Sequence, residues 1–172
     1  HLYLSIGNRL AAVLCIGGPL RAEAPDVLCA LRSLGIQKTV MLTGDSERTA
    51  ASIASRVGVD DFRAEVLPED KANYIAGLRA KGHTVIMVGD GINDSPALPE
   101  ADVGIAISDG AAIAQEIADI TIAADSLWEL IRLRQIAACL SARIRANYRF
   151  VMGFNGTLIA LGVAGVIQPS VS

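Results

Sequence analysis

Three short runs hold the residues best suited to handling a phosphoryl group: Thr43-Gly44-Asp45, Pro68-Glu69-Asp70-Lys71, and GDGINDSPAL from Gly89 to Leu98. Phosphoryl transfer is mainly positioning and charge neutralisation. It needs a carboxylate for Mg²⁺, a cation and hydrogen-bond donors for the equatorial oxygens, and backbone thin enough to approach them. Asp90 follows an apolar run and stands between two glycines, which suits a sharp turn at a sheet edge, so it is assigned to Mg²⁺. The Thr43 hydroxyl and Gly44 amide suit a phosphoryl oxygen, and Lys71 suits the same charge from another side. Singly, each run has a plainer reading: a solvated lysine, a turn at TGD, a helix cap at Asp94. Their occurrence together, in this order, is what points to phosphoryl chemistry.

The elements that must position these residues follow α/β grammar. Helices are expected over 22–34, ended by Gly35, over 46–57 with Ser46 as cap, and over 69–80. Short apolar strands are expected over 39–42, 84–88, 103–107 and 120–122. Strands bounded by crossover helices imply a doubly wound, mainly parallel sheet with its chemistry at the carboxyl ends of the strands. Ahead of them, LYLSIGNRLAAVLCI reads as two apolar strands joined at Gly7-Asn8. The chain opens with His1 and has no signal-peptide layout, so it is read as starting mid-protein.

MLTGD, PEDK and MVGDGINDSPAL, in that order, closely resemble segments of the haloacid-dehalogenase-like fold, and in detail those of P-type ATPases. The resemblance covers essentially the whole chain. It implies that Thr43 and Lys71 stabilise the phosphoryl group, that Asp90 binds Mg²⁺, and that Asn93 and Asp94 complete the phosphate and metal network. Gly44 and Asp45 are expected to help position the water of the second step and a closing partner domain. An aspartyl-phosphate mechanism with ATP as substrate is also implied, with the nucleophile on a DKTGT segment. The 172 residues contain no such segment, and neither Asp45 nor Asp60-Asp61 has the required surroundings. The chain alone is therefore expected to be catalytically incompetent.

The segment IADITIAADSLWEL, the compact motif spacing and the single apolar span that follows point to the heavy-metal branch of that family. The expected organisation is 1–18 as the last strands of a nucleotide-binding domain, 19–126 as the phosphorylation domain, 127–149 as a cytoplasmic linking helix and 150–168 as a transmembrane helix. Gly18 stands where the family usually has an acidic residue; Pro19 and Arg21 are retained. From Phe150 to Ile167 no residue is charged. Those residues as a helix span about 27 Å, close to the thickness of a bilayer's hydrocarbon. Arg132, Arg134, Arg143, Arg145 and Arg149 precede the stretch and assign that side to the cytoplasm. The expected setting is a bacterial plasma membrane, with lipid, the rest of the pump and a transition-metal cation as partners. Asn155, polar in an apolar helix, is a candidate ligand for that cation, beside the alternative of interhelical hydrogen bonding. Its surroundings fit neither the copper nor the zinc and cadmium pattern of the branch.

Two other classes remain open at this stage. One is a soluble Mg²⁺-dependent phosphatase of the same superfamily, which would need its own DxD loop. The other is a non-catalytic Mg²⁺- and phosphate-binding partner of an intact pump. A net charge of −3 gives no electrostatic case for nucleic acid. Cys15, Cys29 and Cys139 have no metal or redox spacing and are expected to be buried thiols. His83 has no second histidine near it in sequence with which to share a metal and reads as ordinary polar packing.

Overall fold

The computed structural model describes residues 20–90, 94–107, 116–123 and 126–165, together with the backbone course of Leu2–Ile6 and Arg9–Leu14. The chain forms two compact units, His1–Leu127 and Trp128–Ser172.

In the first unit, β1 (Leu2–Ile6) and β2 (Arg9–Leu14) pair antiparallel, from Leu2 opposite Leu14 to Ile6 opposite Arg9, as their apolar composition predicts. The alternating part follows: α1 (Ala24–Ser33), β3 (Val40–Leu42), α2 (Glu47–Val57), β4 (Asp61–Arg63), α3 (Pro68–Ala80), β5 (Ile86–Gly89), β6 (Val103–Ile107) and β7 (Ile120–Ile122). Pro25 and Pro68 open α1 and α3 in the first turn, where a missing N–H costs nothing. Gly58 ends α2 in the left-handed region, φ 80°, and donates its N–H to the Ala54 carbonyl. Ser46 caps α2 by position, but its hydroxyl lies 3.1 Å from that of Thr49 rather than on a backbone amide.

Every strand pair in this part is parallel, as expected, but the strands form two sheets instead of one. β3 pairs with β4, with Val40 opposite Asp61, while β5, β6 and β7 pair in that order. Among the described residues β3 and β5 therefore each keep one edge without a strand beside it. β4 was absent from the sequence expectation because Asp-Phe-Arg has charges at both ends and a single apolar residue; its pairing is a backbone property.

The core lies where α3 and the 94–101 loop meet β5 and β6. Ile75, Ala97 and Ala101 are buried together against Val85 and Met87, and Leu98 and Ala106 against Met87, Ile117 and Ala118. A Cβ on Gly104 would stand 2.7 Å from the Leu98 carbonyl oxygen, so β6 can run this close to the loop only with glycine there. The tail of GDGINDSPAL is thus packing: Ala97 and Leu98 have no exposed surface.

The expectation of buried thiols is overturned for two of the three cysteines. Cys29 and Cys139 are exposed. On α1 the buried side chain is Val27, and a residue two positions further points to the other side of a helix. Cys15 lies outside the described side chains.

The second unit is built on α4 (Trp128–Val163), one continuous helix through the boundary expected at 149/150. Its apolar side chains are exposed along much of its length, among them Ile136, Leu140, Phe150, Phe154 and Ile159. Among the described residues no helix is long and apolar enough to cross a membrane. The uncharged stretch 150–167 continues beyond Val163, where α4 ends, and its last residues lie outside the described part.

Candidate functional site

Thr43 follows β3 directly and its N–H donates to the Arg63 carbonyl, extending the β3–β4 pairing by one step. The loop then closes on itself. The Thr43 hydroxyl donates to Asp45 Oδ2 and accepts from the Asp45 N–H, each at 3.1 Å. The loop after β4 covers this turn: the Glu65 N–H donates to the Asp45 carbonyl at 2.9 Å and the Val66 N–H to the Thr43 carbonyl at 3.0 Å. Glu65 has φ 54°, the one non-glycine among the described residues in the left-handed region.

Two residues beyond Val66, α3 begins, and Lys71 lies in its first turns with its N–H donating to the Leu67 carbonyl. Lys71 Nζ donates to Asp94 Oδ1 at 2.7 Å, with both side chains only 13% exposed. This contact joins PEDK to GDGINDSPAL across 23 positions. The Asp94 carbonyl accepts the Ala97 and Leu98 N–H groups, so the carboxylate stands on a turn anchored by the buried Ala97 and Leu98. Asp94 also packs on Gly89: a Cβ there would collide with Asp94 Oδ2 and lie 2.7 Å from its Cβ. Asp90 comes next after β5 and is exposed.

One connected path therefore runs from Thr43 through Val66 and α3 to Lys71, Asp94, Gly89 and Asp90. Gly44 and Asp45 are exposed on the same loop as Thr43. Asn93 lies outside the described residues. Asn155 is an exposed residue of α4, in the second unit. Asp94 does not act as a plain helix cap: its carboxylate is engaged by Lys71. His83 is exposed in the turn before β5.

Asp90 and Asp94 are two carboxylates, and among the described residues no group of three or more His, Cys, Asp or Glu side chains could hold a metal. That donor set is poor for a protein-only cage. It fits Mg²⁺, which keeps several waters and binds through one or two carboxylates plus substrate phosphate.

The strongest electrostatic perturbation lies at the opposite, amino-terminal end of β3. Asp60 Oδ2 accepts the Thr39 hydroxyl and N–H, each at 2.7 Å, and Asp60 Oδ1 accepts Arg32 Nη2 at 3.1 Å. The Thr39 bonds, with help from Arg32, lower the Asp60 pKa to about 2. Asp61 is also held below the ordinary carboxylate value, mainly by Lys38. Both belong to the frame of the fold.

Sequence reading missed Glu65 and Glu23. No local signal marks the positive φ of Glu65, and the partners of Glu23, described below, lie more than a hundred positions away.

This arrangement of α/β units and loops defines a class: the chain belongs to the haloacid dehalogenase-like hydrolase family, which it matches over residues 3–102. Within that class its similarity is to heavy-metal P-type ATPases over nearly its whole length. It is 45% identical to the probable copper-transporting ATPase HMA5 of Arabidopsis thaliana over 94% of this chain and 16% of that protein. It is 42% identical to a silver exporting P-type ATPase of Salmonella typhimurium over 98% of this chain and 20% of that protein. A crystal structure of a zinc-transporting PIB-type ATPase in the E2.Pi state superposes with a TM-score of 0.80 and 37% identity, over 87% of this chain and 24% of that one. The chain thus spans about a fifth of the length of these relatives.

Proposed function

We propose that this chain is part of a P-type ATPase that couples ATP hydrolysis, through an aspartyl-phosphate, to the movement of a transition-metal cation across a membrane. The observation that carries the reading is the Lys71–Asp94 contact, which brings PEDK and GDGINDSPAL together, with the Thr43 loop held to the same helix start through Val66.

In this reading Lys71 neutralises a phosphoryl oxygen while Asp94 fixes its ammonium in place before any substrate arrives. Thr43 donates its hydroxyl to a second oxygen by exchanging the Asp45 carboxylate for the phosphoryl group. Gly44 and Asp45 help position the water of the second step and a closing partner domain, and Asn93 adds a side-chain amide to the phosphate network. Asp90 would hold Mg²⁺ with Asp94 in the same network, and the ion would supply charge neutralisation to the phosphoryl group.

The nucleophile is assigned to a strand of the remaining pump. Supporting this, β3 and β5 both run toward site residues and both keep an unpaired edge among the described residues, and Ile86 and Val88 on β5 are exposed. A parallel strand seated on these edges would end beside Thr43 and Asp90. The chain by itself is accordingly proposed not to turn over ATP.

Residues 1–18 are proposed as the end of a nucleotide-binding domain, 19–126 as the phosphorylation domain, 127–149 as a cytoplasmic linking helix and 150–168 as a membrane span in a bacterial plasma membrane. The exposed apolar side chains of α4 and the arginines before Phe150 support the last assignment. Asn155 is the proposed cargo ligand in this chain. Relatives named for copper, silver and zinc fit a transition-metal cargo without selecting one.

The test is phosphorylation from terminally labelled ATP. The full-length protein should take up acid-stable, hydroxylamine-labile label that depends on the metal and is lost in Asp90→Asn. The 172-residue chain should take up none. If the chain alone instead hydrolyses a small phosphate monoester with Mg²⁺, the stand-alone phosphatase reading replaces this one.

A further inference from the structure

Glu23 is the N-cap residue of α1, yet its side chain makes no capping bond to its own helix. Its carboxylate reaches instead to the far end of the first unit. Oε1 accepts the Leu127 N–H at 2.6 Å and Oε2 accepts the Ser126 hydroxyl at 3.2 Å. The side chain is 26% exposed, and Arg21 Nη1 stands 3.9 Å from Oε1. Leu127 is the last residue of this unit, and α4 begins at Trp128.

The peptide joining Leu127 to Trp128 is the covalent route from the phosphate-handling unit to α4. A slack segment there would absorb any movement of the unit. A short charge-assisted bond to the Leu127 amide, with the Ser126 hydroxyl on the other carboxylate oxygen, holds it far better than an exposed ion pair would. We propose that Glu23 is a positioning residue that clamps residues 126–127 to the start of α1, so that changes at the phosphate site are passed to α4 instead of being lost in the connection. The inference rests on the pump reading above.

Two variants of the full-length protein, compared with the unmodified protein, test it: Glu23→Ala, and Glu23→Gln, which keeps an acceptor oxygen at the same reach. Each is assayed for label uptake from ATP and for metal moved per ATP hydrolysed in sealed vesicles. Glu23→Ala should take up label to the unmodified level while metal moved per ATP falls about five-fold or more. Glu23→Gln should recover most of that loss. In the 172-residue chain, exchange of the Leu127 amide should speed up about ten-fold or more in Glu23→Ala, the loss of a hydrogen bond to a charged group.

Equal falls in label and transport would make Glu23 a merely structural residue and overturn the proposal. So would unchanged coupling in Glu23→Ala, or an unchanged Leu127 exchange rate. An unmodified protein that takes no label from ATP removes the pump reading itself, and this inference with it.

Discussion

Lys71 and Asp94 show what a single contact must do when both partners are nearly enclosed. With each side chain 13% exposed, removing one leaves the other charged and short of water. Lys71→Met is expected to cost about 1–3 kcal/mol of stability and to abolish label uptake from ATP in the full-length protein. Adding Asp94→Asn should return part of the stability and none of the uptake, which a double-mutant cycle on urea unfolding and labelling will separate. Gly89→Ala makes a sharper case, because its new methyl group would collide with the Asp94 side chain and force it to shift from the position in which it meets Lys71. It should lower labelling as Lys71→Met does while both charges remain. Residue types at the site were legible from chemistry alone, since a threonine, a lysine and carboxylates in three motifs admit few combined uses. The partnerships were not. That the Thr43 hydroxyl turns onto Asp45, or that Glu65 takes a positive φ to cover it, depends on loop closure that no spacing encodes.

Among the elements, those with strong periodicity or clear breakers emerged nearly as read. β6 and β7 match their expected limits, and Gly35 and Gly58 end helices with φ 96° and 80°. β4 was missed because parallel pairing on one side supports a strand whose own sequence does not. What fixes it is the Arg32–Thr39–Asp60 network at its start, and this network has a pH signature. Asp60 has its pKa lowered from 3.8 to about 2, so its folded-state preference is for the charged form. The stabilisation is present above the unfolded value and is lost as pH falls through the folded one, between about pH 4 and pH 2. Asp60→Asn should flatten the acid limb of the unfolding curve in that window and leave the neutral-pH slope unchanged, as followed by circular dichroism. Ile75, 2% exposed, anchors α3 to the β5–β6 core. Ile75→Ala should cost about 2–5 kcal/mol, and because α3 carries Lys71 it should weaken the site as well as the fold.

At the scale of the whole molecule, the open question is what surrounds α4. A helix that exposes Phe150, Phe154, Leu158, Ile159 and Val163 together has no stable place in water unless something apolar covers it. The proposed cover is lipid and neighbouring membrane helices, and the energetics give a direct check. The 172-residue chain, expressed in bacteria, should remain with the membrane after alkaline carbonate extraction. Leu158 and Ile159 lie near the middle of the uncharged stretch, where an arginine costs about 2.5–3.5 kcal/mol on the insertion scale. Replacing both by arginine should therefore oppose insertion by about 5–7 kcal/mol, enough to move the chain out of the extracted membrane fraction. The same pair of substitutions at Ile136 and Leu140, ahead of Arg143, should leave it there, because that part of α4 is assigned to the cytoplasmic side. If the unmodified chain is released by carbonate, the span is wrong, and the apolar side of α4 must instead be covered by protein.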